Sequence, residues 1–114
     1  AAVPGGRLGD VSAAIGAVGR AGGYGINTDQ GGHGVGRRMH EEPHVPNEGK
    51  AGRGLKLRAG LVIAIEPMFI AGGRDTFTTD ADGWGLRTSD RSHAAHWEHT
   101  IAITPNGPVI LTEP

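Results

Sequence analysis

The stretch from Gly32 to Asn47, GHGVGRRMHEEPHVPN, constrains the fold more than any other part of the chain. Pro43 and Pro46 lack the backbone N–H that a helix interior needs, and each disfavours helical geometry at the residue before it. Gly32, Gly34 and Gly36 have no Cβ, so another backbone or a ligand can come close around His33. The segment must therefore run extended or turning and cannot be one regular helix. It also holds three histidines (His33, His40, His44) and two glutamates (Glu41, Glu42). Chemistry-bearing side chains on a constrained backbone point to a site more than to a core.

His40 to His44 reads HEEPH, a literal match to the zinc motif H-E-x-x-H. That motif works because a helix places both histidines on one face, one turn apart. Here Pro43 sits inside the required turn, where proline costs roughly 3 kcal/mol. The helical zinc reading is therefore rejected.

Bulk properties narrow the remaining options. The chain has 114 residues, enough for one domain or part of one, with a modest core. Its net charge of -1 does not call for nucleic acid or an anionic membrane as partner. It contains no apolar run of spanning length, no signal-peptide core and no lipidation motif. Cysteine is absent, so disulfides and thiolate metal sites are excluded, and any metal would take His and carboxylate donors. The 21 glycines are scattered among apolar runs, which reads as turns and tight backbone contacts. The chain begins at Ala1 without an initiator Met, as a processed, trimmed or fragmentary chain would.

Leu8, Val11, Ile15 and Val18 recur at helical spacing and predict an amphipathic helix over residues 7–21, ended by Gly22 and Gly23. Tyr24 to Asn27 is a short strand candidate, and Arg37 to His40 reads as extended. Gly49 to Gly60 is a basic, Gly-rich loop without the strand-to-helix context of a phosphate cradle. Leu61 to Glu66 is a β-branched, mostly apolar strand, with Pro67 ending regular pairing. Thr76–Thr79 and Trp84–Thr88 are set to pair around an Asp80–Gly83 turn. His96 to Thr104 reads as one long strand, and Asn106-Gly107 signals a hairpin into Val109–Thr112. One helix followed by antiparallel strands makes the class α+β.

Glu66 ends an apolar strand, where a buried carboxylate is costly unless paired, protonated or metal-bound. Strand alternation puts His96, Glu98 and Thr100 on one face and Trp97, His99, Ile101 and Ile103 on the other. Two readings compete for Glu66 and Glu98: strand-end carboxylates in water, or ligands of a metal beside His33. His33 fits either a hydrogen-bonded turn or a backbone-close site. His40 fits a strand cap or a functional group, and Trp84 fits plain packing. His44, His93 and His99 have no assigned role.

Three segments in order, GHGVGRRMHEEPHVPNEG, IAIEPM and DGWGLRTSDRSHAAHWEHTIAIT, resemble type I methionine aminopeptidase. The likeness runs from Leu8 to Leu111. Within the wider pita-bread superfamily, EPM, and DGW followed by EHT, favour the methionine enzymes. The resemblance implies the C-terminal half of a pita-bread fold over residues 1–114, a curved antiparallel sheet with one or two helices. It implies His33, Glu66 and Glu98 as metal ligands, and His40 as the histidine that contacts the scissile peptide. Met39 and Trp84 match positions lining the methionine pocket. His96 stands where many relatives carry Gln, and should share a face with Glu98, as a hydrogen-bond partner or near the ion.

The resemblance further implies a cytoplasmic hydrolase that removes N-terminal methionine from nascent proteins, with a divalent cofactor such as Co, Mn, Fe or Zn. Family members hold two adjacent ions with five protein ligands, two of them aspartates from a D-x-x-N-I-D-like strand and its neighbour. No such segment occurs in this sequence. At most one ion is expected here, and the chain's own activity is expected to be low. The candidate partners are the N-terminal peptides of nascent proteins, a separate N-terminal half, or a second copy. A non-catalytic peptide-binding module is the reading from a different class.

Overall fold

The computed structural model describes residues 1–114. Its one helix, α1 (Leu8–Ala21), begins where Asp10 Oδ2 accepts the Arg7 N–H at 2.7 Å. Asp10 Oδ1 accepts the Gly52 N–H at 2.7 Å, so the same carboxylate ties the helix start to the Gly-rich loop. The helix ends at Gly22, followed by Gly23 in the left-handed region at φ 73°. Leu8 and Val11 are buried and Ile15 packs against the core, as the periodicity predicts. Val18 departs from that expectation and is 67% exposed. Gly16 and Gly19 take the buried stripe instead. A Cβ on Gly19 would lie 2.8 Å from the Phe69 ring, so the helix approaches its neighbours through its glycines.

The strands are β1 (Gly25–Ile26), β2 (Gly32–Gly34), β3 (Glu41–Val45), β4 (Val62–Ile65) and β5 (Met68–Ile70). They continue as β6 (Phe77–Thr79), β7 (Leu86–Thr88), β8 (Ala94–His96), β9 (His99–Thr104) and β10 (Gly107–Ile110). A five-stranded sheet has the order β10-β9-β4-β2-β3, a three-stranded one β1-β5-β8, and β6 pairs with β7 alone. All pairings are antiparallel. The α+β class and both predicted hairpins are therefore present, with one helix.

Four local expectations change. Arg37–His40 forms bends rather than extended chain, because β2 must reverse before β3 runs back beside it. Of the HEEPH segment, Glu41–His44 lie in strand β3 and His40 in the bend before it, consistent with Pro43 barring a helix. Pro67 ends β4 but not pairing, since Met68 starts β5 in another sheet at once. The long strand His96–Thr104 is broken at Trp97–Glu98, because its first part pairs with β5 and its second with β4. The last hairpin strand also starts earlier than Val109, at Gly107.

Leu8, Val11, Val45, Leu57, Ile63 and Ile103 form the main core between helix and large sheet. Each such side chain contributes about 1.5–3 kcal/mol by leaving water. Only 18 of the 114 residues are buried, so side-chain clamps at the rim matter more than in a larger domain.

One clamp is the Arg20 guanidinium, which holds Asp75 at 2.7 Å and Glu48 at 2.8 Å. Asp75 also accepts the Ile26 N–H at 2.9 Å. The helix end, β1 and two loops are thereby joined. Hydrogen bonds from Arg20 hold the Glu48 carboxyl below its ordinary 4.5 and the Asp75 carboxyl below its ordinary 3.8. Carboxyls depressed in the folded state stabilise it fully above their ordinary values and lose that contribution as pH falls through the depressed ones. With side chains 38–40% exposed, each pair contributes at most about 1 kcal/mol. The urea midpoint should fall as the pH drops below the ordinary carboxyl values of 4.5 and 3.8, and Arg20→Met should flatten that slope. An identical midpoint-versus-pH curve in the variant contradicts the clamp.

Candidate metal centre

His33 is the middle residue of β2, held between β3 and β4. Its register partners are His44 on one side and Ala64 on the other. The flanking glycines are there because these neighbours close in. A Cβ on Gly32 would run into the Ala64 carbonyl, and one on Gly34 into the Glu42 carbonyl. A β-bulge between His33 and Gly34 shifts the register with β3.

Glu66 and Glu98 meet His33 for a topological reason. The chain leaves β4 through Glu66-Pro67 to enter β5, and leaves β8 through Trp97-Glu98 to enter β9. Ile65 pairs with His99 in the large sheet, and Met68 pairs with His96 in the small one. The two crossings therefore lie side by side, joined by Trp97 N–H donating to Pro67 O at 3.2 Å. Two carboxylates far apart in sequence are delivered to one corner between sheets.

The ligand atoms of His33, Glu66 and Glu98 all lie within 4.8 Å of one another. His33 Nε2 is 3.4 Å from Glu66 Oε1, with those side chains only 14% and 15% exposed. His33 Nδ1 is 2.9 Å from Gly34 O. A carbonyl only accepts, so Nδ1 carries the proton and, in the neutral ring, Nε2 presents a lone pair. Nε2 faces Glu66 Oε1 at 3.4 Å, a pairing that either a proton on Nε2 or a cation bound by both atoms satisfies. The ion-pair partners of Glu66 are His33 and His96, with no Lys or Arg among them. One imidazole and two carboxylates form an oxygen- and nitrogen-donor set suited to a divalent ion. An ion held by three such donors would keep a coordination position open.

His40 stands beside this group, its ring centroid 4.3 Å from that of His33. His33, His40 and His44 line one open polar depression with Arg38, Glu41 and Glu42. Met39 is 71% exposed in the bend before β3, and Trp84 is 89% exposed between β6 and β7. Within this chain neither lines an enclosed apolar pocket. His99 contacts Thr112 Oγ1 at 2.9 Å and lies edge-on to Trp97, away from a ligand role. His93 lines a different depression with Arg87 and Arg91.

His96 differs from expectation. A continuous strand would have set it on the face of Glu98, but the break at Trp97–Glu98 undoes the alternation. Its Nε2 instead lies 3.2 Å from Glu66 Oε2. Sequence reasoning missed this contact because it depends on the β5–β8 pairing. The short Met68–Ile70 run directly after Pro67 was the available signal for that pairing.

Residues 1–105 match the family model described as metallopeptidase family M24. The methionine aminopeptidase of Aquifex aeolicus is 50% identical over 98% of this chain. Methionine aminopeptidase 1 of Mycobacterium tuberculosis is 51% identical over 98% of it. In structure, methionine aminopeptidase from Thermotoga maritima superposes with a TM-score of 0.92 at 48% identity over 97% of this chain. The fold is thus that of part of the methionine aminopeptidase, or pita-bread, architecture. In each of the three comparisons the chain spans 44% of the relative's own length. On a family match covering nearly all its residues and near-half identity to these relatives, the chain belongs to metallopeptidase family M24.

Proposed function

We propose that this chain supplies the metal-holding wall of an aminopeptidase site that removes N-terminal methionine from nascent proteins. The observation that carries the reading is the convergence of His33, Glu66 and Glu98 within 4.8 Å, in a chain half identical to methionine aminopeptidases. On this reading residues 1–114 form a single unit corresponding to the C-terminal half of the family's fold, working in the cytoplasm.

His33 Nε2, Glu66 and Glu98 would hold one divalent ion, Co, Mn, Fe or Zn. A bound ion of this kind polarises a carbonyl and lowers the pKa of water. Glu66 takes the proton from the attacking water and passes it towards the leaving amine. His40, next to His33, donates an N–H to the scissile carbonyl oxygen as negative charge develops there. Met39 and Trp84 contribute to the surface on which the substrate methionine rests.

The cluster offers three donors, and the apolar depression lined by Val11, Ile15, Ile65, Ile101, Pro108 and Ile110 stands open. This favours a second part to the reading, in which the chain acts joined to a further polypeptide, and by itself cleaves poorly. The test is Met release from a Met-Ala-Ser peptide. The 114-residue chain alone should stay near background. A fusion to the first part of the Aquifex aeolicus relative should release Met in the presence of Mn2+ and lose that activity on His40→Ala. A folded fusion that binds Mn2+ but leaves the peptide intact contradicts the activity. Robust release by the chain alone contradicts the joined-chain part.

A further inference from the structure

We propose that His96 is a positioning residue that locks the Glu66 carboxylate in its metal-holding orientation. The inference rests on the metal-site reading of Glu66 and deepens it. His96 Nε2 lies 3.2 Å from Glu66 Oε2, and the carboxylate can only accept, so Nε2 carries the proton and donates it. The other oxygen, Oε1, is the one 3.4 Å from His33 Nε2. The two oxygens are thus divided between two histidines, His96 holding the carboxylate through Oε2 and His33 facing it at Oε1.

His96 is well placed to hold rather than to ligate. The group with mutually close ligand atoms is His33, Glu66 and Glu98, and His96 is not a member. Its side chain is 45% exposed against 15% for Glu66, so it braces the carboxylate from the solvent side. Its backbone is fixed by the Met68–His96 pairing and by the Trp97 N–H to Pro67 O bond next to it. Glu66 lies just beyond the end of β4 with several rotatable bonds, and freezing them costs rotamer entropy. A partner that pre-orients the carboxylate removes part of that cost before the ion arrives. An imidazole N–H does so without the fixed positive charge that Lys or Arg would place beside the ion.

The test uses the 114-residue chain with Mn2+ as the calorimetric probe and Co2+ as the spectroscopic one. His96→Ala should weaken Mn2+ binding by about 10-fold or more, the range typical for an outer-shell partner of a metal ligand. It should also shift the visible Co2+ bands while the urea midpoint holds. His96→Gln, whose side-chain amide N–H has a similar reach, should restore affinity and spectrum. His96→Ala binding Mn2+ as wild type, with Glu66→Ala binding none, overturns this inference and leaves the site reading intact. Undiminished binding by Glu66→Ala overturns the site reading itself. Failure of His96→Gln to restore binding shows that the N–H is not what matters and also overturns the inference, as does a loss of binding that merely tracks a fallen urea midpoint.

Discussion

Replacing Glu66 with alanine should remove measurable divalent-ion binding from this chain. Glu66 is the hub of the cluster, with one oxygen 3.4 Å from His33 Nε2 and the other 3.2 Å from His96 Nε2. Without it, His33 and Glu98 remain, one donor short of the three that protein sites for such ions ordinarily supply. The loss should exceed the ~10–100-fold cost of removing an outer-shell partner. Stability should hold, because Glu66 belongs to no strand and sits at the corner where β4 gives way to β5. Removing it also takes away repulsion from the neighbouring Glu98 carboxylate. Calorimetry with Mn2+ on both proteins decides the matter, and equal affinity would sink the assignment.

Gly32→Ala should damage both fold and site. The added Cβ would meet the Ala64 carbonyl and come within 3.1 Å of Val45 Cβ. Neither is the free end of a flexible side chain: one is strand backbone, and the other belongs to a fully buried core residue. Relief requires β2 to move away from β4 and β3. Such overpacking typically costs about 1–3 kcal/mol. That is a large share of the roughly 5–15 kcal/mol that holds a domain folded. The urea midpoint should drop, and Mn2+ affinity should drop with it, because His33 rides on the displaced strand. A variant matching wild type in both measurements would show that the close approach around His33 does not matter.

Local features of the fold were legible wherever one stretch of sequence decides. The Leu8–Val11–Ile15 spacing marks α1, and Asn106-Gly107 marks the β9–β10 turn. Pro43 excludes a helix across the HEEPH stretch, whose residues from Glu41 on lie in a strand. What was not legible depends on partners far along the chain. Val18 looks like a core residue by period, yet the helix presses its glycines inward, and that choice belongs to Phe69, Ile26 and Glu48. His96 and Glu98 alternate correctly as a single strand, but two different sheets divide them between β8 and β9.

The same division holds at the site. By itself the sequence excluded thiolate donors and left Glu66 and Glu98 open between solvated carboxylates and metal ligands, and the family resemblance is what singled them out with His33. The sequence also determined that the literal zinc motif is false, since proline geometry is a local property. Only the tertiary structure decided that Glu66 and Glu98 reach His33, and that His96 turns to Glu66 rather than to Glu98. Those distances are set by hydrogen-bonded ladders between β2, β4, β5, β8 and β9, where one residue of register exchanges the faces of every side chain.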